Sequence, residues 1–571
     1  MSGGALTQAR PRNQPASQGS SSRRAAQLVV ESLSEAGTET LFGLPGGGAN
    51  LEFIAAAQEA GIRFVLTHSE SAAVIMASTY AEITGTLGAC VVTRGPGITS
   101  AVNGLSHARL DRQPVIIVAD CVLEVDRPRV THQLIDNVQL GVASAKGSFT
   151  ATLHDSAAGS REAIRVARSI PPGPVILSLD ALARPAIAVT PLSFGSRDGA
   201  YSNQASDLAR RLHGAERPLF VLGLGALPHR DALRRLLLGS GCPVLSTYKA
   251  KGIVGDGSAE AAGLLTGGTV EQPILSRADL VVGIGLDPVE LIPTPWEHSE
   301  RTLLLDDWDA DAGGYFGDCT KATGNLGGHI GLLSSLDCSW APDSGRRARL
   351  AARDLLLGYS SPADGALSPH DVALVAREIA PPGTVASVDA GAHMLVVMPI
   401  WDVEEPHELL ISSGLATMGF SLPAAVAAAT TRSNHVVCFT GDGGLSMAIG
   451  ELETLARLNA NVVVIVFNDS ALSLIEAKQD ADGQGGRDAV RYQPCDFSTI
   501  AKGFGVRAHR IASASRLRTA LARALDQPGP TLLDVLIDAG SYRDVLDVTR
   551  GTTGRSGERS TGGTRDGRAD R

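Results

Sequence analysis

The chain alternates short apolar runs with stretches of helical periodicity along most of its length. Near the start, the apolar runs Phe64–Leu66 and Ala89–Thr93 flank a helical pattern over Ser69–Thr84. Strands that are separated by helices pair in parallel and are covered by helices on both faces. At ~100–200 residues per domain, 571 residues make roughly three or four domains. We therefore predict an α/β fold with three parallel-sheet domains.

Breaks in this alternation predict the domain boundaries. A Pro-rich stretch at Arg184–Ser193 and a connector at Asp343–Leu367 separate the blocks. The ends of the chain are poor in apolar residues, which predicts disordered tails at residues 1–21 and 549–571. An organelle transit peptide is an open alternative for the Arg-rich, acid-free N terminus. The three domains are predicted over residues 22–185, 203–345 and 366–540.

Composition excludes several classes of function. The net charge of −10 argues against a general polyanion binder, and 4% aromatic residues argue against a base-stacking platform. No apolar run approaches the ~20 residues of a membrane helix. Seven dispersed cysteines without a CxxC pair fit a reducing compartment. We expect a cytoplasmic protein with neither a nucleic-acid nor a membrane partner.

The third block contains the most informative motif. A strand ends in Gly441-Asp442-Gly443-Gly444, and the next strand ends in Asn468. Carboxyl ends of parallel strands share one edge of the sheet, where ligands bind. Carboxylate and amide oxygens suit Mg²⁺, and phosphates complete such a site. The glycines let the backbone approach those phosphates.

GDG followed 26 residues later by Asn resembles the thiamine diphosphate (ThDP) enzymes of the acetolactate synthase and benzoylformate decarboxylase group. The resemblance implies that Asp442, Asn468 and the carbonyl of Ser470 bind the Mg²⁺ that holds the diphosphate. It also implies cofactor contacts for the glycines of the motif, which are Gly441, Gly443 and Gly444.

Glu70 lies in the first turn of the helical pattern of the first block. A glutamate in the first turn is often there only because it stabilises the helix dipole. However, the run from His68 to Gly85 resembles the family's Glu helix, which ends in Tyr-Ala and a nearby Gly. The resemblance implies that Glu70 binds the aminopyrimidine of ThDP and promotes loss of its C2 proton, with a pKa tuned by burial.

Further runs resemble the family's motifs, in the same order along the chain. Phe42–Gly48 resembles its FGxPGG turn, which places Gly47 at the active site, and Thr93–Gly97 resembles its TxGPG turn. Gly414–Phe420 resembles its GLGTMGF loop, where the Ala416 carbonyl accepts from the cofactor and Met418 bends it. By the same resemblance His393 approaches the diphosphate, and Gln133 and His132 reach the substrate.

The resemblance extends over residues 22–540 and implies pyrimidine-binding, middle and diphosphate-binding domains. It implies a homodimer or homotetramer with each site between two subunits, Glu70 from one and Asp442 from the other. The expected reaction is decarboxylation of a 2-oxo acid through a C2 ylide and an enamine, with or without carboligation.

Other functions stay open. One is a lyase of 2-hydroxyacyl compounds. A second is an enzyme that ligates its fragment to an amine, because the run Thr247–Gly252 resembles a run of carboxyethylarginine synthase. A third is a catalytically silent subunit. The joint presence of Glu70, Asp442 and Asn468 argues against the silent subunit.

The middle block departs from acetolactate synthase. Asp287 stands where that family has an arginine, and an aspartate cannot pair with a keto-acid carboxylate. Gly223-Leu224-Gly225 is a weak dinucleotide signal and is expected to be a plain strand–helix turn. These departures argue against FAD and against authentic acetolactate synthesis. Asp287 and Glu290 are expected either in a solvated acidic loop or against a cationic acceptor.

Overall fold

A computed structural model describes residues 16–47, 49–152, 156–180, 187–189, 211–291, 296–311, 313–335, 338–360, 362, 365–431, 435–481, 483 and 485–551. Several predicted features therefore lie outside the described residues. They are most of the two tails, Gly48 of the first glycine-rich run, and most of the Pro-rich stretch that separates the first two domains.

The first domain is a sheet of six parallel strands with an antiparallel seventh strand at one edge. The strands are β1 (Thr40–Leu44), β2 (Arg63–Leu66), β3 (Gly88–Val92), β4 (Val115–Asp120), β5 (Gly147–Ala151), β6 (Val175–Leu179) and β7 (Ile187–Val189). Their spatial order is β2-β1-β3-β4-β6-β5-β7. The helices are α1 (Ala16–Glu35), α2 (Ala49–Glu59), α3 (Glu70–Thr84), α4 (Pro96–Ser100), α5 (Val102–Leu110), α6 (Asn137–Ser144) and α7 (Ser156–Arg168).

The middle domain is a sheet of six parallel strands. They are β8 (Pro218–Leu222), β9 (Val244–Ser246), β10 (Ala261–Leu264), β11 (Leu280–Ile284), β12 (Thr302–Asp306) and β13 (Thr320–Thr323), in the order β10-β9-β8-β11-β12-β13. The α-helices are α8 (Arg230–Leu237), α9 (Gln272–Leu275), α10 (Leu326–Leu332) and α11 (Ser344–Leu357), which leads to the third domain. Short 3-10 turns lie at Leu224–His229, Pro288–Glu290, Ser299–Arg301 and Leu333–Ser335.

The third domain is also a parallel six-stranded sheet. Its strands are β14 (Val385–Val388), β15 (Leu409–Ile411), β16 (Val436–Gly441), β17 (Val462–Asn468), β18 (Arg507–Ile511) and β19 (Thr531–Leu536), in the order β15-β14-β16-β17-β19-β18. The helices are α12 (Pro369–Ile379), α13 (Ala392–Ile400), α14 (Ser421–Thr431), α15 (Asp442–Ala448), α16 (Glu451–Leu458), α17 (Ser473–Ala481), α18 (Phe497–Gly503), α19 (Ala514–Asp526) and α20 (Tyr542–Arg550), with a 3-10 turn at Arg487–Ala489. The three-domain α/β prediction is confirmed.

The first and third domains share one apolar core. The alanines of the two helices, Ala72, Ala73 and Ala77 of α3 and Ala424, Ala425, Ala427 and Ala428 of α14, are buried in the same cluster. Because these side chains are short, the two helices pack closely over many residues. α3 itself begins at Glu70, one residue later than predicted, because Ser69 is its N-cap and accepts from Ala72 N. This packing sets the position of Glu70 relative to the third domain.

The domain boundaries differ from the prediction in three places. α1 begins at Ala16, so residues 16–21 are helical and not disordered; the apolar stripe that starts at Ala25 anchors this helix, and extending a formed helix costs little. α11 occupies the predicted connector. The third domain continues past residue 540, because α20 buries Tyr542, Val545 and Leu546 in its core and extends to Arg550.

Candidate active site

The carboxyl ends of three strands meet where the strand order of the third sheet reverses. β14 lies beside β16, and β16 lies beside β17. Asp389 follows the first of these strands, Asp442 the second, and Asn468 ends the third. Ligands of open α/β sheets bind at this reversal point. The topology therefore collects these side chains in one crevice, as the sequence predicts for Asp442 and Asn468.

Four donors surround the carboxylate of Asp442. Oδ1 accepts from Gly443 N at 2.7 Å and from the Tyr492 hydroxyl. Oδ2 accepts from Ser470 N at 2.7 Å and from Asp469 N at 3.2 Å. Burial raises the pKa of Asp442, and these hydrogen bonds oppose the rise. The two amides after β17 bind this carboxylate directly, so the turn at Ser470 is held against the start of α15.

Asn468 and Ser470 lie at the end of β17. The Asn468 amide nitrogen donates to Asp534 Oδ1 at 2.7 Å and to the Cys495 carbonyl at 3.0 Å, so the amide oxygen faces away from these two acceptors. Ser470 has φ 59°, and its carbonyl accepts from Tyr492 N at 3.2 Å. An amide oxygen, a carboxylate and a carbonyl therefore lie around one turn.

These three groups form an oxygen donor set with a single carboxylate. Within the described ranges, no cluster of three or more His, Cys, Asp or Glu side chains is arranged to hold a metal ion. A hard cation such as Mg²⁺ binds one or two carboxylates and neutral oxygens, and takes further ligands from phosphate. The donor chemistry of Asp442, Asn468 and Ser470 fits such an ion.

Asp389 is a buried carboxylate that joins the Met418 loop to the end of β16. It accepts from the backbone N–H groups of Gly419 and Phe420 at 3.1 Å each, and from Thr440 Oγ1 at 3.2 Å. Burial raises the pKa of Asp389 to about 6. A methyl group added to Gly444 would lie 2.1 Å from Asp389 Oδ2, so only glycine fits there.

His393 lies against the same turn. Its ring stacks on Phe467 with centroids 5.2 Å apart, and methyl groups added to Gly391 or Gly441 would contact the ring. Burial lowers the pKa of His393 to about 3, so the imidazole is neutral. Nε2 is buried and has no hydrogen-bond partner among the described residues. Such an orphaned nitrogen is costly, and a ligand oxygen would satisfy it.

The loop that carries Ala416 and Met418 lies beside the glycines. Ala416 is exposed and left-handed, with φ 51°. A methyl group added to Gly443 would lie 3.3 Å from Met418 Cε and 2.9 Å from Leu472 Cδ2. The structure thus places the predicted apolar side chain directly over the GDGG turn.

Glu70 belongs to a second group of residues, in the first domain. The loop before α3 is fixed by Glu451 Oε1, which accepts from His68 N at 2.9 Å and Ser69 N at 3.2 Å. Glu70 is half-buried, and burial raises the pKa of its carboxyl. A methyl group added to Gly97 would lie 3.5 Å from Glu70 Oε1, so the TxGPG-like turn packs beside this carboxyl.

Of three further predicted residues, one packs against that turn. Gln133 is left-handed, with φ 57°, and packs on Gly95, where an added methyl group would lie 2.7 Å from Gln133 Cβ. A methyl group on Gly47 would meet nothing within 4 Å, so this residue faces open space. His132 is exposed, and no contact ties it to Glu70. The structure therefore groups Gln133 with the Glu70 turn.

The structure contradicts both expectations for Asp287 and Glu290 of the middle domain, namely a solvated acidic loop and a site for a cationic acceptor. Asp287 is buried and pairs with Arg112 at 2.7 Å, so it is neither solvated nor open to a cationic acceptor. Glu290 is buried as well; it accepts from Leu224 N at 2.8 Å and Thr247 Oγ1 at 2.7 Å, and burial raises its pKa to about 8. Both residues are part of the packed interior.

The glycine pair of the middle domain forms a tight crossing, as expected for a plain turn. A methyl group on Gly223 would lie 2.3 Å from the Gly285 carbonyl, and one on Gly225 would lie 2.9 Å from Gly285 Cα. The glycines therefore serve backbone packing between the ends of β8 and β11. The amide of Leu224 between them is already bound to Glu290.

Sequence reasoning missed three side chains that organise the site. The Tyr492 hydroxyl donates to Asp442. The carboxylate of Asp389 accepts from the backbone of the Met418 loop, and that of Glu451 accepts from the backbone of the loop before Glu70. Asp389 lies four residues before His393 in the sequence, but its carboxylate gave no separate signal. Tyr492 and Glu451 are distant in sequence from the residues they bind, so no local spacing could indicate them.

Two general findings concern the whole chain. None of the described helices has both the length and the apolar character that a membrane crossing needs. All seven cysteines are free thiols.

Models of one enzyme family match all three domains. Residues 23–140 match the N-terminal TPP binding domain of thiamine pyrophosphate enzymes, residues 205–307 match the central domain, and residues 389–535 match the C-terminal TPP binding domain. The Glu70 group lies in the first match and the Asp442 group in the last.

Curated relatives match almost the whole chain. The acetolactate synthase of Bacillus subtilis (strain 168) is 28% identical over 550 residues, covering 92% of this chain and 94% of the relative. The catabolic acetolactate synthase of Raoultella terrigena is 29% identical over 541 residues, covering 91% and 95%. The large subunit of acetolactate synthase isozyme 2 of Escherichia coli (strain K12) is 28% identical over 534 residues, covering 90% and 95%. The chain therefore belongs to the thiamine pyrophosphate enzymes and is a ThDP-dependent enzyme of the acetolactate synthase type.

Proposed function

We propose that this enzyme uses ThDP and Mg²⁺ to decarboxylate a 2-oxo acid and to transfer the remaining fragment to a proton or to a second acceptor. The observation that carries the proposal is the convergence of Asp442, Asn468 and Ser470 on one turn, beside the orphaned Nε2 of His393. Oxygen ligands next to an unsatisfied donor are the arrangement that a metal-bound diphosphate requires.

Different residues would bind the metal ion, the diphosphate and the ring portion of the cofactor. Asp442, the amide oxygen of Asn468 and the carbonyl of Ser470 would hold Mg²⁺. His393 Nε2 and the backbone of the motif glycines, Gly441, Gly443 and Gly444, would hold the diphosphate. Met418 would pack on the cofactor's apolar side, and the exposed Ala416 carbonyl would accept a hydrogen bond from it.

Bound ThDP supplies the nucleophilic carbon and the electron sink that decarboxylation of a 2-oxo acid requires. The protein's part in proton transfer falls to Glu70. Burial raises the pKa of its half-buried carboxyl, and this carboxyl would hydrogen-bond a ring nitrogen of the cofactor. Gln133, Gly47 and the exposed His132 would face the substrate from the first domain.

We further propose that each site forms between two copies of the chain. The contacts of the Glu70 turn, with Gly97 and Glu451, share no residue with those of Asp442, which are with Gly443, Ser470 and Tyr492, and this is consistent with two half-sites that face a second copy. Large apolar side chains are exposed near both halves, namely Leu51, Met447 and Ile475. A homodimer or homotetramer would cover these side chains. The free thiols fit a cytoplasmic location.

The middle domain does not support a flavin requirement. The amide of Leu224, where a dinucleotide phosphate would bind such a turn, is taken by the carboxyl of Glu290. We expect the purified protein to lack flavin absorbance near 450 nm, and added FAD to leave turnover unchanged. Flavin that copurifies at one per chain would contradict this.

A calorimetric titration tests the cofactor assignment. ThDP should bind the parent protein tightly only when Mg²⁺ is present. In Asp442→Asn the affinity should fall by about two orders of magnitude, because the only carboxylate ligand is lost. Asp488→Asn, an exposed aspartate of the same domain, is the matched control and should not change the affinity. Equal binding with and without Mg²⁺, or by Asp442→Asn, would contradict the assignment.

A further inference from the structure

Lys249 is a buried cation at the junction of the three domains. Its side chain is 1% exposed and follows β9 of the middle domain. Nζ lies 2.9 and 2.8 Å from the two carboxylate oxygens of Glu82, 2.9 Å from Asp111 Oδ2 and 3.0 Å from the Ile411 carbonyl. Glu82 and Asp111 belong to the first domain and Ile411 to the third. All three N–H donors of this ammonium are therefore used on the other two domains.

Asp111 extends these contacts to the Met418 loop. Its Oδ1 accepts from Gly414 N at 2.8 Å, and its Oδ2 accepts from Ser413 N at 3.3 Å. A methyl group on Gly414 would lie 2.7 Å from Leu110 Cβ, so the loop backbone lies directly against the end of α5. The segment that continues to Ala416 and Met418 is thus held by a carboxylate whose counter-charge is Lys249.

The neighbouring contacts hold the rest of the loop. Ser412 Oγ lies 3.0 Å from His107 Nδ1 and accepts from Thr417 N at 3.2 Å. Thr417 Oγ1 also pairs with the side chain of Asn103. These bonds join neutral groups. Two carboxylates also accept from the loop backbone: Asp389 binds Gly419 N and Phe420 N, and Asp111, which pairs with Lys249, binds Ser413 N and Gly414 N.

Electrostatics make Lys249 indispensable to this junction. Burial raises the pKa of Glu82, but the Lys249 ammonium and His407 more than offset it and hold that pKa at about 2. Without the ammonium, two carboxylates would be buried with no full counter-charge, which is strongly unfavourable. They would take up protons or draw in water, and the loop amides would lose their ionised acceptor.

We propose that Lys249 is a positioning residue for the cofactor: through Asp111 it fixes the loop that presents Ala416 and Met418. This inference rests on the proposed function, in which that loop contacts ThDP. It gives the middle domain, whose described residues belong to neither half of the site, a defined effect on cofactor binding.

Lys251 provides a matched control in the same turn. It is also buried, and its Nζ donates to the carbonyls of Met398 at 2.8 Å and Trp401 at 2.6 Å, with Asp256 Oδ2 at 3.4 Å. The two carbonyls lie at the end of α13 and Asp256 lies in the middle domain, so none of these partners is on the Met418 loop. Lys249→Met and Lys251→Met therefore remove equally buried ammonium groups, but only the first change acts on the loop.

The first readout needs no cofactor. Amide hydrogen exchange in the cofactor-free full-length protein should show the Ser413 and Gly414 amides exchanging at least about tenfold faster in Lys249→Met than in the parent. Lys251→Met should leave them protected. Asp111→Asn, a near-isosteric change, should reproduce the loss if Lys249→Met folds poorly. Unchanged protection in both Lys249→Met and Asp111→Asn would overturn the inference.

The second readout is ThDP affinity by calorimetry with Mg²⁺ present. Lys249→Met and Asp111→Asn should bind ThDP at least about tenfold more weakly than the parent, and Lys251→Met within about twofold of it, at comparable losses of Tm. An equal loss of affinity in Lys251→Met would show a general effect of destabilisation and overturn the inference. If the parent itself does not bind ThDP, the proposed function fails, and the exchange readout still decides the role of Lys249.

Discussion

The hydroxyl of Tyr492 donates to Oδ1 of Asp442, and the backbone N–H of the same tyrosine donates to the carbonyl of Ser470. A carboxylate has about four acceptor positions, and four donors already surround Asp442. Three of these donors are backbone amides in fixed turns. Tyr492 supplies the one side-chain donor, and the residue is 39% exposed, so we expect its hydroxyl to be the group that a metal ion at Asp442 displaces.

Replacing Tyr492 by Phe should therefore tighten metal binding. The hydroxyl bond to a carboxylate competes with the ion, and a charge-assisted bond of this kind is worth about 1.5–3 kcal/mol before water replaces it. We expect Mg²⁺ to bind Tyr492→Phe about three- to tenfold more tightly than the parent, measured by calorimetry at saturating ThDP. Tyr315→Phe in the middle domain is the control. Weaker Mg²⁺ binding in Tyr492→Phe would show that the hydroxyl organises Asp442 and does not compete at it.

Glu290 makes stability depend on pH. Burial raises its pKa in the folded state to about 8, well above the ~4.3 of an unfolded glutamate. The folded state therefore retains a proton that the unfolded state releases, and stability falls as pH rises from about 4.3 to about 8. Glu290→Gln can still accept from Leu224 N and has no charge to bury.

The stability of Glu290→Gln relative to the parent should therefore increase between pH 5 and pH 8 and level off above. The gain should be roughly 2 kcal/mol or more, followed by urea unfolding across this range. Glu297→Gln, at an exposed neighbouring position, serves as the control. A constant difference across the range would show that Glu290 is ionised in the folded protein.

Met447 tests the two-subunit site. It is 64% exposed on α15, and its Cβ lies 3.4 Å from a methyl group added to Gly419. A charge at this position should oppose burial against a second copy. We expect Met447→Asp to sediment as a smaller species and to bind ThDP more weakly. Leu350→Asp, on the exposed face of α11, should keep the parent's sedimentation and affinity. Unchanged sedimentation of Met447→Asp would place the interface elsewhere.

The strands that the sequence predicted well are buried on both faces. Ala89–Thr93 was predicted within one residue of the observed β3 (Gly88–Val92), because a continuous apolar run suits a central parallel strand. Thr320–Thr323 and Arg507–Ile511 were missed. Both are edge strands with exposed polar residues, so neither composition nor period marks them.

The site shows the same division between local and distant signals. Asp442 and Asn468 were predictable because motif spacing and parallel topology bring adjacent strand ends together. The roles of Lys249 and Tyr492 were not predictable. Their partners, Asp111 and Asp442, lie 138 and 50 residues away in sequence, and these contacts form only when the domains and loops pack. The two expectations for Asp287 were wrong because its partner, Arg112, comes from another domain.

The most direct test of the account is CO₂ release from a panel of 2-oxo acids by the purified protein with ThDP and Mg²⁺, beside Glu70→Gln. Glutamine nearly matches glutamate in shape, so the variant should fold, and Glu59→Gln on α2 is an exposed control. We predict release that requires ThDP, falls by at least about three orders of magnitude in Glu70→Gln and is unchanged in Glu59→Gln. Release that survives in Glu70→Gln, or no release from any acid by protein that binds ThDP, would contradict the account.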